Sequence, residues 1–216
     1  MSALDDEAVN ERATGRLFGL SDAVFAIAMT LLALNLHVPA LGAHPDEQAL
    51  EHALAEQGPH YVSFLLSFYV IAIYWRRQHA EMRTIHTIRT ELVRLTMFLL
   101  LMVSSLPFAA GLLGAYGGES GIAVAVYSGV NVLAVGTLLL IRYETRRHRL
   151  ASDTRPTPGS HELWFDLVAL LLAAPSGYLL PGHGVLSLVV LLTVSGLAGR
   201  FLTRRHARRK APWPMS

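Results

Sequence analysis

Long apolar runs alternate with short polar stretches along this chain, and the runs are too long for the core helices of a soluble domain. Six stand out, approximately Leu17–Val38, His60–Trp75, Leu92–Gly114, Gly121–Ile141, Leu163–Leu180 and Gly184–Leu202. A helix that crosses ~30 Å of hydrocarbon needs roughly 20 mostly apolar residues. Several runs reach that length, and the second and fifth lie at its short edge. The runs also carry small residues (Ser104, Ser105, Gly129, Gly136, Ser195, Gly196) of the kind that lets membrane helices approach closely. The pattern predicts an all-α, polytopic membrane protein: six transmembrane helices in one domain over residues 1–216, with a basic tail at 203–216.

The charges divide by side. All 18 Lys and Arg lie before the first run, in alternate connections (residues 76–94 and 142–155) or from Arg200 onward, and the other three connections contain none. The positive-inside rule then places both termini in the cytoplasm. The basic tail is read as a topology signal beside anionic lipid, not as a nucleic-acid arm, because the basic residues share no single accessible face. On the opposite side Asp46, Glu47, Glu51, Glu56 and Glu119 have no Lys or Arg among them. Such loops keep that face soluble, and they also make it attractive to cations. The first run is expected to be a membrane span and not a secretory leader, because Asp5, Asp6, Glu7 and Glu11 precede it and it exceeds a 7–15-residue apolar region. The stretch Arg142–His161, with Arg155-Pro156-Thr157-Pro158-Gly159, is expected to be a cytoplasmic linker between a four-helix and a two-helix block.

Composition supports the membrane reading and removes most chemistry. Charged residues make up 16% and apolar ones 52% of the 216 residues, where a soluble domain carries about 25% charged residues. Mean hydropathy is +0.40. The absence of cysteine excludes disulfides, thiol catalysis and cysteine-based metal sites. There is no P-loop lysine, nucleophile-elbow serine or metalloprotease pattern. His79 and His86 stand seven apart without a third ligand, which makes a metal site improbable. No enzyme and no cofactor are expected. Asn131 is expected to make an interhelical hydrogen bond, and Pro107 and Pro175 to kink or end their helices.

One ionisable residue stands inside the first run. Asp22 lies about one and a half turns in, where a carboxylate needs a partner or water. Arg16, six residues earlier, is about 120° away around the helix, so the two do not pair along it. Trp75 and His79, at the end of the second run, sit at a suitable depth. A packing network and a proton- or ion-carrying role both fit Asp22.

These residues carry a resemblance. Arg16-Leu17-Phe18-Gly19-Leu20-Ser21-Asp22, followed by Ile27 and Thr30, resembles the R-x-x-x-F-S-D-x(7)-T signature of the endosomal–lysosomal potassium channels (the transmembrane protein 175 family) and their prokaryotic homologues. Trp75…His79 is similar to the element ending that family's second helix, and Leu106-Pro107-Phe108 to a motif of its third. Leu20 stands where the signature has Phe, and Gln78 where the family has a first His. The resemblance implies a cation channel that lacks a T-V-G-Y-G filter: a homotetramer in a prokaryotic plasma membrane, with the first helix of each subunit lining a central pore. It implies a constriction at Ile27, further apolar rings at Leu31 and Leu34, and Thr30 as a candidate selectivity hydroxyl. Arg16, Ser21, Asp22, Trp75 and His79 would hold that helix in place. Potassium would be the permeant ion, and membrane lipid the surroundings.

Helix arithmetic agrees with that transfer. With Ile27 at 0°, Leu31 falls at about +40° and Leu34 at about −20°, while Leu20 and Val38 extend one stripe over roughly 27 Å. Thr30 flanks it at about −60°, and Ser21 and Asp22 point away. An apolar neck can gate by dewetting. The gathered helix C-termini, each about −0.5 charge, and the acidic loops would favour cations. The alternative is a proton-coupled transporter or proton pathway that uses Asp22.

Overall fold

The computed structural model describes residues 3–41, 46–83, 85, 89–148, 160–179 and 188–190. The described elements are helical: α1 (Ala3–Leu31) with a 3₁₀ turn over Leu32–Asn35, then α2 (Glu47–Glu56), α3 (Gly58–Met82), α4 (Thr90–Tyr116), α5 (Gly121–Arg147) and α6 (Ser160–Leu179). Among the described residues, three segments, Thr14–Asn35, Thr90–Tyr116 and Gly121–Arg147, are long and apolar enough to cross a membrane. The sixth run, Gly184–Leu202, lies outside the described residues except for the helical positions 188–190, as do His86 and the tail.

Local chemistry sets the helix ends. Proline restricts its predecessor to extended backbone, so the chain cannot carry a helix through Val38 into Pro39. The 3₁₀ turn tightens the last orphan carbonyls of α1, and Leu36 is already extended at φ −91°, ψ 112°. In the acidic connection that follows, Asp46 caps α2: its carboxylate accepts the Ala49 N–H at 2.7 Å, filling one of the open donors of the first turn. Pro59 sits in the first turn of α3, where its missing N–H has no partner to lose.

The helices outrun the apolar segments. α3 continues two turns past Trp75, and α5 carries Arg142–Arg147 that the hydropathy pattern assigns to a linker. Polar residues in a membrane protein mark where the hydrocarbon stops, not where the backbone ladder stops. The connection between α3 and α4 therefore shrinks to residues 83–89. Neither Pro107 nor Pro175 ends its helix, since α4 and α6 run past both.

Helix α4 is the centre of the bundle and packs against α1, α3 and α5, with α6 laid on α5. Its Leu99, Val103, Leu106 and Leu113 are fully buried, together with Phe25, Ile71, Tyr127, Leu138 and Ile141 from the neighbours. A polar thread crosses this core: Ser67 Oγ donates to Tyr127 Oη (3.1 Å), and Tyr74 Oη donates to Asn131 Oδ1 (2.8 Å). Asn131 Nδ2 returns to the Tyr127 carbonyl at 2.8 Å. Asn131 thus makes the interhelical bond its position calls for. The two tyrosines that complete the thread carry no polar signal in the sequence.

Candidate functional site

Helix α1 has two faces. Leu17, Ser21, Phe25, Ala28 and Leu32 are buried against α3 and α4, a spacing of three and four residues that keeps them on one side. The other side leaves Leu20, Ile27, Leu31 and Leu34 uncovered, with Ile27 56% and Leu34 72% exposed. The 3₁₀ turn changes the geometry of this stripe. Residues three apart eclipse at three residues per turn, so Leu34 stands directly above Leu31 instead of stepping around. Val38, placed on the stripe by α-helical arithmetic, lies beyond the turn in extended chain. From Leu20 through the 3₁₀ turn to Leu34 the stripe spans about 22 Å, shorter than the 27 Å expected. Thr30 is exposed on the flank, and its hydroxyl donates to the Ile27 carbonyl at 2.8 Å.

At the basic end, α3 holds α1 through side chains. Trp75 Nε1 donates to Asp22 Oδ1 at 2.8 Å, and His79 Nδ1 lies 3.9 Å from the same oxygen. The His79 ring meets Phe18 edge-on at 6.0 Å and lies against Trp75 at 5.5 Å. Ser21 Oγ donates to the Leu17 carbonyl (2.9 Å) and accepts from Gln78 Nε2 (3.3 Å). Gln78 thereby does useful bonding at the position where the family signature has histidine. Arg16 is exposed and makes no ion pair among the described residues.

The same two turns of α3 reach the remaining helices. Arg77 pairs with Asp166 of α6 at 2.6 Å, and Glu81 with Arg142 of α5 at 3.1 Å. The side chains of the second pair are only 9% and 5% exposed. Hydropathy reading misses both pairs because it places Arg77 and Arg142 in connections. The available signal was Glu81 and Asp166 themselves, carboxylates on the arginine-rich side. Burial pushes the Glu81 carboxyl above its ordinary range, and the Arg142 and then Arg146 guanidinium groups oppose that rise.

The opposite end is joined differently. Asn35 Nδ2 donates to the Pro107 carbonyl (2.9 Å), and Ser63 Oγ to the Ala110 carbonyl (2.6 Å). Gly111 makes room for the first contact, because a Cβ there would stand 2.7 Å from Asn35 Oδ1. Beyond it the His37 and His60 rings meet edge-on at 6.2 Å. The carboxylates of Asp46, Glu47, Glu51 and Glu56 lie exposed on and beside α2, and His52 stands 3.3 Å from Glu56.

Known proteins resemble this arrangement. Residues 16–107 match the family model described as endosomal/lysosomal potassium channel TMEM175. A potassium channel of Streptomyces collinus is 31% identical over 188 residues, covering 81% of this chain and 90% of that one. A potassium channel of Chamaesiphon minutus is 33% identical over 128 residues, covering 57% and 62%. The crystal structure of a lysosomal potassium-selective channel TMEM175 homologue from Chamaesiphon minutus superposes with a TM-score of 0.71 at 26% identity, covering 87% of this chain and 98% of that one. With its anchored first helix and a relative matched over nearly its whole length, this chain belongs to the TMEM175 potassium channel family.

Proposed function

We propose that this chain is the subunit of a homotetrameric, potassium-preferring channel in a prokaryotic plasma membrane, with both termini cytoplasmic and α1 lining the pore. The uncovered apolar stripe of α1 carries the reading. A helix held by side-chain bonds on one face, with Ile27, Leu31 and Leu34 bare on the other, is built to meet something outside its own subunit. Four such stripes around an axis make an oily neck. A neck of this kind sheds water when narrow and passes a hydrated ion only when it widens. The C-terminal ends of the four first helices would gather about −0.5 charge each at the outer mouth, and the carboxylates around α2 would add to that potential. Thr30 is the candidate for distinguishing potassium from sodium. The permeant ion is the only ligand the mechanism needs.

Potassium-loaded liposomes containing the purified protein test this. The native chain is expected to support flux, and Ile27→Asn, which wets the neck, to raise it several-fold or to admit sodium. Unchanged flux in that variant would move the constriction off Ile27. The second reading, proton passage by way of Asp22, draws on the 3.9 Å approach of His79 to its carboxylate. The helix offers it little else, since α1 is continuous through Leu31 and transporter sites sit in broken helices. A proton flux that Asp22→Asn abolishes, with potassium flux intact, would favour it.

A further inference from the structure

Arg16 takes no part in the bonds that fasten α1, and its place on the helix gives it another use. The residues of α1 that pack on α3 and α4 (Leu17, Ser21, Phe25, Ala28 and Leu32) fall between about +80° and +160° when Ile27 is set at 0°. Arg16 falls at about −20°, in line with Ile27 and with Leu20 at about +20°, and it is exposed as they are. Because α1 is continuous from Ala3 to Leu31, this register runs down the helix without a break. Along the axis Arg16 stands about 6 Å below Leu20 and about 16 Å below Ile27. The uncovered apolar stripe therefore ends, on the arginine-rich side, in a guanidinium group.

The charge at that position is permanent, since arginine stays protonated at every accessible pH. Arg16 stands in none of the ion pairs among the described residues. On α1 the nearest carboxylates before and after it, Glu11 and Asp22, fall at about −160° and −140°, away from the stripe, and Asp22 already accepts the Trp75 N–H. The described carboxylates of the other helices at this end face bases of their own: Glu81 at Arg142, Asp166 at Arg77, and Glu91 at Arg89 (3.8 Å). The opposite end carries the reverse sign, with Asp46, Glu47, Glu51 and Glu56 exposed and no Lys or Arg among them. One end of the stripe is cationic and the other anionic.

We infer, on the reading that α1 lines the pore, that Arg16 sets the direction in which potassium passes more easily. Copies of α1 around an axis gather their guanidinium groups at the cytoplasmic entrance, below the apolar neck. A cation about 8 Å from four such charges in water is depleted about fourfold at ~0.15 M salt and less than about 1.5-fold at ~1 M, because the Debye length falls from about 8 Å to about 3 Å. Potassium arriving from the cytoplasm meets that depletion, and potassium arriving from outside meets carboxylates instead. Inward current therefore exceeds outward current at equal and opposite voltages.

Inside-out membrane patches from cells expressing the full chain, with equal potassium chloride in pipette and bath, test this. The native chain is expected to pass about two- to fourfold more current inward than outward at ~0.15 M, and nearly equal currents at ~1 M. The chain has no cysteine, so Arg16→Cys places a thiol at this position and nowhere else. That variant is expected to lose most of the asymmetry at ~0.15 M. A cationic methanethiosulfonate in the bath then restores it, and an anionic one reverses it, a dependence on sign that a purely structural role does not produce. Equal effects of the two reagents overturn the inference. A native chain that conducts equally both ways at ~0.15 M overturns it and leaves the pore reading standing, whereas a native chain that passes no potassium overturns both. A changed assembly mass of Arg16→Cys in native mass spectrometry also overturns it, by making Arg16 a contact between copies. Should Arg16→Cys fail to fold, the native salt dependence decides, because an asymmetry that persists undiminished at ~1 M refutes a ring of exposed charge.

Discussion

Replacing Arg142 with methionine strips the partner from a carboxylate that is 9% exposed, whereas replacing Glu81 with glutamine strips it from a guanidinium that is 5% exposed. The two losses are not equivalent. Arginine cannot shed its proton, so Glu81→Gln leaves a buried cation without this carboxylate at every accessible pH. Breaking a buried pair in this way costs about 3–5 kcal/mol. Glu81 has a way out, because it can take up a proton. Burial already raises its carboxyl above 4.5, and Arg142 is the foremost group holding it down. Without Arg142 the carboxyl rises further.

The sign follows from proton counts. Between the unfolded value and the raised folded value, the folded chain binds more protons than the unfolded one, so stability falls as pH rises, by at most about 1.4 kcal/mol per pH unit. Arg142→Met should therefore match the native chain near pH 5 apart from lost packing. Its deficit should open above the pH at which the native Glu81 ionises and level off above the variant's own folded value. Glu81→Gln should show no such added slope. The double variant Glu81→Leu, Arg142→Met should recover to within about 1 kcal/mol of native, as apolar replacement of a buried pair often does. Melting curves of purified protein between pH 5 and 8 measure all three. Parallel pH profiles for the two single variants, or a double variant as weak as Glu81→Gln, would refute the reasoning.

Three other outcomes are expected. Asp22→Asn should melt within about 1 kcal/mol of native, because an amide oxygen still accepts the Trp75 N–H; a loss of several kcal/mol would show that the carboxylate charge is the anchor. Gly111→Ala should drive the Asn35 amide off the Pro107 carbonyl and cost about 1 kcal/mol, and adding Asn35→Ala should cost little more; additive losses in the double-mutant cycle would contradict this coupling. Asn131→Leu should cost about 1–3 kcal/mol by leaving the Tyr74 hydroxyl buried without an acceptor, and Tyr74→Phe in that background should restore part of it, both read from melting midpoints.

The apolar runs announce α1, α4 and α5 because hydrocarbon demands a long uninterrupted stretch, and their cores fall where the runs lie. What hydropathy cannot show is how far a helix continues into water. Trp75 ends a run, yet the backbone ladder goes on through Glu81, and the residues of that extension make the contacts that matter. Pairing is equally hidden: Arg77, Glu81, Arg142 and Asp166 each read as ordinary interfacial charges, and only tertiary packing brings them together in twos. Asp22 was the readable case, since a carboxylate alone in an apolar run needs a partner, and Trp75 was near enough in depth to be named. The apolar run reaches Val38 but the helix stops sooner: α1 passes into a 3₁₀ turn that ends at Asn35, and Pro39 bars Val38 from helical backbone. The roles proposed for Ile27, Leu31, Leu34 and Thr30 come from the family likeness and the uncovered face of α1, because hydropathy alone does not separate a pore-facing stripe from a lipid-facing one.

The bundle's two ends differ in how forgiving their fastenings are. Near the arginines, α3 is bonded side chain to side chain, so sliding or turning it by one residue would strand Trp75, Arg77, Gln78 and Glu81 together. Near α2, Asn35 and Ser63 bond to main-chain oxygens of α4, which recur every 1.5 Å or so along a helix. One end behaves as a keyed lock and the other as a ratchet with many teeth, so small movements of the helices should pivot on the first and be felt at the second.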